Sequence, residues 1–225
     1  MDSIIQIKNL TKNFGREQIL DQINLNISRG KIIGLTGESG TGKTTLINIL
    51  IGFLESDEGE IFFNSKGSLL NLNDLRKDNA FYRFLGVSTQ ECSFYQDLSV
   101  NDNLMLYGSL NGLEKVGMNK RIDNLLNLVN LSEKKEELVS RLSSGMQKRL
   151  DIACSLIHKP KIIFLDEPTA HLDEKNREII WSLVRKIKDE GTTVVVASHF
   201  LEELRKACDE IYLIKDKKIQ NVQVY

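Results

Sequence analysis

Apolar and polar residues alternate along two segments near the start of the chain, residues 3–9 and 19–27. A period of two is typical of strands that place one face against a core and the other in solvent. Between these segments, Asn13, Phe14 and Gly15 have the residue types of a turn. We therefore predict that the two segments pair as antiparallel strands, and that residues 59–63 form a further short strand.

Residues 161–165 and 192–197 are short and nearly all apolar, which is typical of parallel strands buried on both faces. Similar runs at residues 32–35 and 84–88 are predicted to be core strands as well. Helices are expected at residues 174–190 and from residue 200 onward. Alternating strands and helices indicate an α/β fold with a parallel sheet. Residues 211–214 and 219–224 are predicted to close the chain as a hairpin.

The segment from residue 91 to about residue 139 has a helical pattern instead. Ile122, Leu125, Leu126 and Val129 recur at i, i+3, i+4 and i+7, the stripe of a helix packed on one face. We expect Gly108, Gly112 and Gly117 to divide this segment into shorter helices. Another helix is expected from about residue 145 to His158, ended by Pro160. Residues 64–79 are predicted to be a polar, loop-rich stretch.

Residues 37–45 read G-E-S-G-T-G-K-T-T and lie between a predicted strand and a predicted helix. This context and spacing match the phosphate-binding P-loop pattern, in which glycines let backbone N–H groups surround a phosphate chain at a helix N-terminus. Lys43 would reach the outer phosphates and the Thr44 hydroxyl would bind Mg²⁺. The alternative is an ordinary glycine turn. The residues assigned to nucleotide binding are Gly37, Glu38, Ser39, Gly40, Thr41, Gly42, Lys43, Thr44 and Thr45.

Three other predicted core strands also end in polar residues, and ligands of open parallel sheets bind beyond the carboxyl ends of the strands. Asp166 is expected to hold Mg²⁺ together with Thr44. Glu167 is expected to orient and deprotonate an attacking water. Gln90 and His199 could contact Mg²⁺, water or the terminal phosphate. For His199 alone, the competing interpretation is a histidine satisfied within the core.

Composition limits the classes of function. The 225 residues include 41% hydrophobic and 27% charged residues, as expected for a soluble globular protein. The net charge of -1 does not favour nucleic acid as a partner. No run has the length of a membrane span and no signal peptide is expected, so membrane contact would require a partner. The three cysteines, Cys92, Cys154 and Cys208, form no C-x-x-C pair, which favours reduced thiols in the cytosol.

At this point the chain resembles the ATP-binding subunit of an ATP-binding-cassette (ABC) transporter over essentially its whole length. The Walker A motif is matched by the P-loop, the Q-loop by Gln90, and the switch histidine by His199. Residues 162–168 (I-I-F-L-D-E-P) match Walker B, and residues 170–173 (A-H-L-D) match the D-loop. Phe14 lies where the family has an aromatic residue that stacks on adenine; the alternative is a core residue.

The ABC signature, normally L-S-G-G-Q, reads L-S-S-G-M over residues 142–146. The resemblance implies that Ser143 and Gly145 contact ATP held by a second subunit, in keeping with the affinity of helix N-termini for anions. An ordinary serine N-cap would explain Ser143 alone. Ser144 and Met146 depart from the motif. Methionine at this position resembles the subfamily that works with type-2 export permeases.

The resemblance also implies a single ABC ATPase domain over residues 1–225. It has a P-loop NTPase core with a mostly parallel sheet, an N-terminal antiparallel β subdomain, and a helical subdomain inserted at about residues 91–139. The cofactors would be ATP and Mg²⁺. The partners would be an integral membrane permease and a second ATPase subunit, with the chain cytoplasmic and peripheral on the inner face of the cell membrane. Apolar residues expected around the groove for the permease are Phe94, Tyr95, Leu98 and Met105; internal packing is the alternative.

Two other functions stay open. One is an ABC-type ATPase that moves no solute and acts in a membrane-associated, DNA-acting or ribosome-acting complex. The lack of a heptad run or cysteine cluster disfavours the chromosome and repair relatives. The other is a nucleotide-binding regulator with weak catalysis, which the altered signature would permit.

Overall fold

The computed structural model describes residues 2–65, 67–78 and 81–222, which contain ten strands and seven α-helices. The strands are β1 (Ser3–Phe14), β2 (Glu17–Ser28), β3 (Ile32–Thr36), β4 (Glu58–Ser65), β5 (Ser68–Asn71), β6 (Leu85–Ser88), β7 (Ile162–Asp166), β8 (Thr193–Ala197), β9 (Glu210–Lys215) and β10 (Lys218–Val222). The helices are α1 (Lys43–Leu50), α2 (Leu72–Leu75), α3 (Val100–Leu110), α4 (Met118–Leu128), α5 (Ser144–Leu156), α6 (Glu174–Asp189) and α7 (Leu201–Ala207). Short 3₁₀ helices lie at Tyr82–Phe84, Ser132–Lys134 and Val139–Arg141.

The alternating N-terminal segments form an antiparallel sheet with strand order β2-β1-β4-β5. β1 pairs antiparallel with both β2 and β4. Alternate apolar residues of these strands, among them Ile5, Ile7 and Ile23, are buried in one apolar cluster. The prediction of an N-terminal antiparallel sheet is confirmed, although both long strands extend beyond the alternating segments.

The second sheet has six strands in the order β10-β9-β3-β8-β7-β6. β3, β6, β7, β8 and β9 run parallel to their neighbours, and β10 pairs antiparallel with β9. Every residue of β3, β7 and β8 is buried. The predicted parallel sheet and closing hairpin are confirmed; residues 223 and 224 of the predicted last strand lie outside the described residues.

Successive side chains of β7 point into two different apolar clusters. Ile163 and Leu165 pack in a cluster with residues of α5 and α6, and Ile162 and Phe164 pack in a cluster with residues of α1 and the antiparallel sheet. This is the pleat of a strand covered on both faces. The same arrangement explains why the run has no polar alternation.

The inserted segment contains α3 and α4, as predicted, but Gly108 does not break a helix. It lies within α3, where a Cβ atom would overlap the Met118 thioether of α4, so its small size permits close helix packing. The break falls at Gly112 and Gly117, both with positive φ (72° and 90°). Glycine adopts this conformation without the steric cost of a Cβ.

The prediction of a loop-rich stretch is wrong for residues 64 and 65, which belong to β4, and for residues 68–75. β5 pairs antiparallel with β4, and the Asn71 side chain caps α2 by accepting from the Asn73 N–H at 2.9 Å. Two four-residue elements are too short to give a periodic pattern. Lys66 and Asn79 of that stretch lie outside the described residues. In the described ranges, no helix combines the length and apolar character needed to cross a bilayer.

Candidate functional site

The carboxyl ends of β3, β7 and β8 border an open cavity of about 970 Å³, which Gln90 after β6 also lines. The cavity therefore brings together residues from all four strand ends singled out in the sequence. Of the residues predicted for the site, those that line the cavity are Gly37, Glu38, Ser39, Gly40, Gly42, Lys43, Thr44, Thr45, Gln90, Glu167 and His199. Thr41 is not among its lining residues; its hydroxyl donates to the Glu38 carbonyl at 2.9 Å.

The loop between β3 and α1 requires glycine for steric reasons. Gly37 (φ 150°) would place a Cβ 2.6 Å from Thr41 Oγ1, and Gly42 (φ 102°) would place one 2.9 Å from Leu20 Cδ2. Lys43 opens α1 and is buried, with Nζ donating to the carbonyls of Gly37 (2.8 Å) and Glu38 (3.0 Å). A loop that curls around a cation at a helix N-terminus is suited to an anionic ligand.

Thr44 lines this cavity, and its side chain meets that of Asp166, which lines the neighbouring cavity. The Thr44 hydroxyl donates to Asp166 Oδ2 at 2.7 Å. Asp166 Oδ1 is buried and, within the described ranges, has no hydrogen-bond partner. A hydroxyl and a free carboxylate oxygen are hard donors that fit Mg²⁺, which binds one or two carboxylates and fills much of its shell with water and phosphate oxygens.

Glu167 and His199 form a carboxylate–imidazole pair in the cavity, with 2.9 Å between Glu167 Oε2 and His199 Nδ1. The side chain of His199 is 47% exposed, so it is not a core histidine. Glu167 has φ 48°, an uncommon conformation for a non-glycine residue. Its N–H donates to the Ala197 carbonyl at 2.9 Å, which fixes the end of β7 against the end of β8.

Several hydrogen bonds tie the loop that contains Gln90 to α5. The Ser88 hydroxyl donates to Asp151 Oδ2 at 2.6 Å, and Lys148 Nζ donates to the Thr89 carbonyl at 2.7 Å. Burial raises the pKa of Asp151, against the opposing effects of Lys148 and of the hydrogen bond from Ser88. Gln90 itself is exposed and lines both this cavity and a neighbouring one.

Besides Thr41, three predicted nucleotide-binding residues do not line the cavity of their own chain. Phe14 is 49% exposed at the end of β1, with Lys12 Nζ 5.4 Å from its ring centroid. Ser143 caps α5 by accepting from the Met146 N–H at 3.4 Å. Gly145 is buried, and a Cβ there would lie 2.6 Å from Asn176 Cγ. The structure thus gives Gly145 an intrachain packing role that the sequence did not suggest.

A second cavity, of about 740 Å³, lies beside Gln90. Its apolar lining includes Phe53, Tyr82 and Tyr107 rather than the four residues expected from the sequence. Phe94 and Met105 pack against the core, in agreement with the packing alternative. The exposed rings of Phe53 (81%) and Tyr82 (45%) could have been found only from their position in the fold.

Arg177 and Phe200 also line the first cavity, and sequence reasoning missed both. The Arg177 guanidinium lies 4.6 Å from the Phe200 ring centroid and forms an ion pair with Glu203 at 3.0 Å. Neither residue belongs to a motif matched in the sequence. Their contact joins α6 to the segment after β8, so only the tertiary structure reveals it.

The comparisons with known proteins agree with this geometry. A family model described as ABC transporter matches residues 20–170. An ABC transporter ATP-binding protein of Methanocaldococcus jannaschii is 34% identical, over 95% of this chain and 75% of its own length. A lantibiotic transport ATP-binding protein of Streptococcus pyogenes is 35% identical, over 96% of this chain and 89% of its own length.

A solved structure is also similar: a Clostridium perfringens subunit described as part of an ABC transporter complex. It superposes with a TM-score of 0.87 at 28% identity, over 98% of this chain and 88% of that subunit. Several other curated relatives are longer, and the chain spans between 61% and 66% of their length.

Proposed function

The chain belongs to the ABC transporter family, and on that premise we propose that it is the subunit that binds and hydrolyses ATP to power export by a separate membrane permease. We treat residues 1–225 as one ABC ATPase domain, with residues 91–139 as its helical subdomain. The observation that carries the proposal is the Glu167–His199 pair at 2.9 Å, which faces the P-loop across one cavity.

The parts of this cavity suit phosphoryl transfer to water. Such a reaction is catalysed mainly by positioning and by stabilising charge on the transferring group. Lys43 and the N–H groups of the P-loop would hold the phosphates. Glu167 would accept a proton from the attacking water, and His199 would steady the terminal phosphoryl group. Gln90 would contact the water or the metal.

Mg²⁺ is the cation that best fits the Thr44 hydroxyl and the unpartnered Asp166 oxygen. When bound, it neutralises charge on the phosphates during transfer. Thr44, Asp166 and Gln90 are the side chains of this chain that would hold it. Their hard oxygen donors are consistent with Mg²⁺ rather than with a softer transition metal.

A second ATPase subunit would complete the site. Ser143 and Gly145 lie outside their own chain's cavity and at the N-terminus of α5, where backbone N–H groups favour an anion. They would contact ATP held by the other subunit, and Phe14 would stack on the adenine of its own chain's ATP. Asp173, which is exposed at the start of α6, would lie at the interface between the subunits.

The proposal of export draws on the names of relatives, which include Nod factor export, linearmycin resistance and lantibiotic transport ATP-binding proteins. The permease would dock in the cavity beside Gln90, whose exposed rings of Phe53 and Tyr82 suit an apolar partner. The chain would then lie on the inner face of the cell membrane, bound through that partner.

The test combines turnover with binding. Wild-type chain should hydrolyse ATP in the presence of Mg²⁺, and Glu167→Gln should lower kcat by about 10²–10⁴-fold while ATP binding is retained. With ATP, the Glu167→Gln variant should elute as a dimer in gel filtration. Lys43→Ala should lose ATP binding, and Glu136→Gln, at an exposed carboxylate that does not line the cavity, should match the wild type.

Transport is tested separately, by isolating the tagged chain from gently solubilised native membranes. A multi-span membrane protein in near-equal amount supports the permease partnership. Recovery with ribosomal or DNA-bound proteins alone would overturn it and leave an ATPase that moves no solute. Rapid hydrolysis by Glu167→Gln would contradict the role given to Glu167.

A further inference from the structure

Arg177, Phe200 and Glu203 form a continuous contact between the loop after β7 and His199. We propose that Arg177 and Phe200 are positioning residues that orient the His199 imidazole, with Glu203 holding Arg177 in place. The inference rests on the proposed function, since it concerns the geometry of the same cavity.

The contact nearest to the reaction is between two rings. The centroids of His199 and Phe200 are 3.9 Å apart, with 40° between the ring planes. On its other side, His199 Nδ1 lies 2.9 Å from Glu167 Oε2. Because the histidine side chain is half exposed, these two contacts restrict an imidazole that solvent would otherwise leave free to rotate. Phe200 therefore acts as a support for the ring.

Phe200 is in turn fixed by Arg177. The guanidinium carbon lies 4.6 Å from the Phe200 ring centroid, within the range of a cation–π contact. Two hydrogen bonds set the plane of that guanidinium: Nε donates to the Leu172 carbonyl at 2.8 Å, and Nη1 donates to Glu203 Oε1 at 3.0 Å. A planar group held at two edges presents its face in one direction only.

Glu203 is more than the partner of a surface ion pair. Its side chain is 19% exposed, and its second oxygen accepts from the Thr169 hydroxyl at 2.9 Å and from Trp181 Nε1 at 2.8 Å. A carboxylate with three donors keeps one rotamer. It joins α7 to α6 and to the loop after β7, and so anchors Arg177.

These contacts run from the loop after β7 through Arg177 and Phe200 to His199. Leu172 and Thr169 lie in the loop that ends at Asp173, the residue that the proposed function places at the interface between the subunits. A shift of that loop on dimer formation would move the Leu172 carbonyl and with it Arg177. Arg177 would carry the shift to Phe200 and then to His199. The orientation of His199 would thus depend on whether the second subunit is in place.

The turnover test uses matched substitutions at Phe200. Phe200→Leu keeps an apolar side chain but removes the ring face, and should lower kcat for ATP by about tenfold with KM within about twofold. Phe200→Tyr keeps the ring face and should restore turnover. In a His199→Ala background, Phe200→Leu should have no further effect, because its effect passes through the histidine. Equal loss in both backgrounds would overturn the proposal.

A second readout is independent of turnover. The chain has three histidines, so the His199 ring proton signal can be assigned in an NMR spectrum by its loss in His199→Ala. Arg177→Gln should shift that signal, and should shift it much less once Phe200 is leucine. Arg185→Gln, an exposed arginine on the same helix, is the control and should leave the signal unchanged. If Arg177→Gln leaves the His199 ring proton signal unchanged, the proposal is refuted, even for a chain without ATPase activity.

Discussion

Replacing Gly145 by alanine should destabilise the fold through one identifiable clash. The added Cβ would lie 2.6 Å from Asn176 Cγ and would also overlap its amide oxygen. Since non-bonded carbon atoms prefer about 3.5–4.0 Å, the Asn176 side chain would have to move by about 1 Å. It is held by the bond from its Nδ2 to Asp173 Oδ2 at 2.7 Å. Relief of the clash therefore breaks that hydrogen bond.

The size of the effect follows from these contacts. Overpacking of a buried site costs about 1–3 kcal/mol, and the gain from replacing glycine by alanine in a helix is at most about 1 kcal/mol. Gly145 is only the second residue of α5, where this gain is smaller. Because the atoms that must move are the end of one half-buried side chain, the cost lies near the lower end of the overpacking range. We expect a net loss of about 1 kcal/mol, which for a domain of this size lowers Tm by about 2–4 °C. Thermal unfolding followed by circular dichroism measures it.

A second substitution tests the cause. Asn176→Ala removes the atoms that the new Cβ would meet, so the Gly145→Ala, Asn176→Ala double variant should be little less stable than Asn176→Ala alone. Ser144→Ala, an exposed neighbour in the same helical turn, should leave Tm nearly unchanged. If Gly145→Ala lowers Tm as much in the Asn176→Ala background as in the wild type, the clash is not the cause of the destabilisation.

Three further predictions concern other parts of the fold. Burial acts to raise the pKa of Glu210, but hydrogen bonds from neighbouring side chains lower it below its ordinary value. Glu210 therefore stabilises the fold above pH 4.5, and the difference in Tm between wild type and Glu210→Gln should shrink as pH falls through its lowered pKa. Burial raises the pKa of Tyr212 to about 12. In an ultraviolet titration of tyrosinate formation, the Tyr212→Phe variant should therefore lack the group that ionises at the highest pH. Ser99→Ala removes the cap that accepts from the Asp102 N–H at 3.0 Å and should cost about 1 kcal/mol in urea unfolding, whereas exposed Ser109→Ala should cost less.

The sequence predicted what local patterns and compact motifs can encode. The P-loop is one continuous segment, and the ends of parallel strands meet at one edge of a sheet, so the meeting of Lys43, Glu167 and His199 followed from the order of strands. The buried strands were found because β7 and β8 contain almost no polar residue. In both cases the signal lies within a few neighbouring residues.

The rest depended on contacts between distant parts of the chain. Gly108 was taken as a helix break because no sequence pattern shows that Met118 packs against it. The contact of Arg177 with Phe200 joins two elements whose approach is set by the sheet, not by either segment. β5 exists because β4 offers it an edge to pair with, although its own four residues carry little strand signal. Tertiary pairing decides such short elements.

At Glu167 the left-handed backbone conformation lowers stability, whereas the side chain at the same position is the one proposed to act in catalysis. A non-glycine residue in this conformation costs about 1–2 kcal/mol, which glycine would avoid. Glu167→Gly should therefore yield a more heat-resistant protein without the carboxylate proposed as its general base. Directed evolution of this chain for heat resistance alone would select against the carboxylate, so such a selection needs turnover as a second criterion.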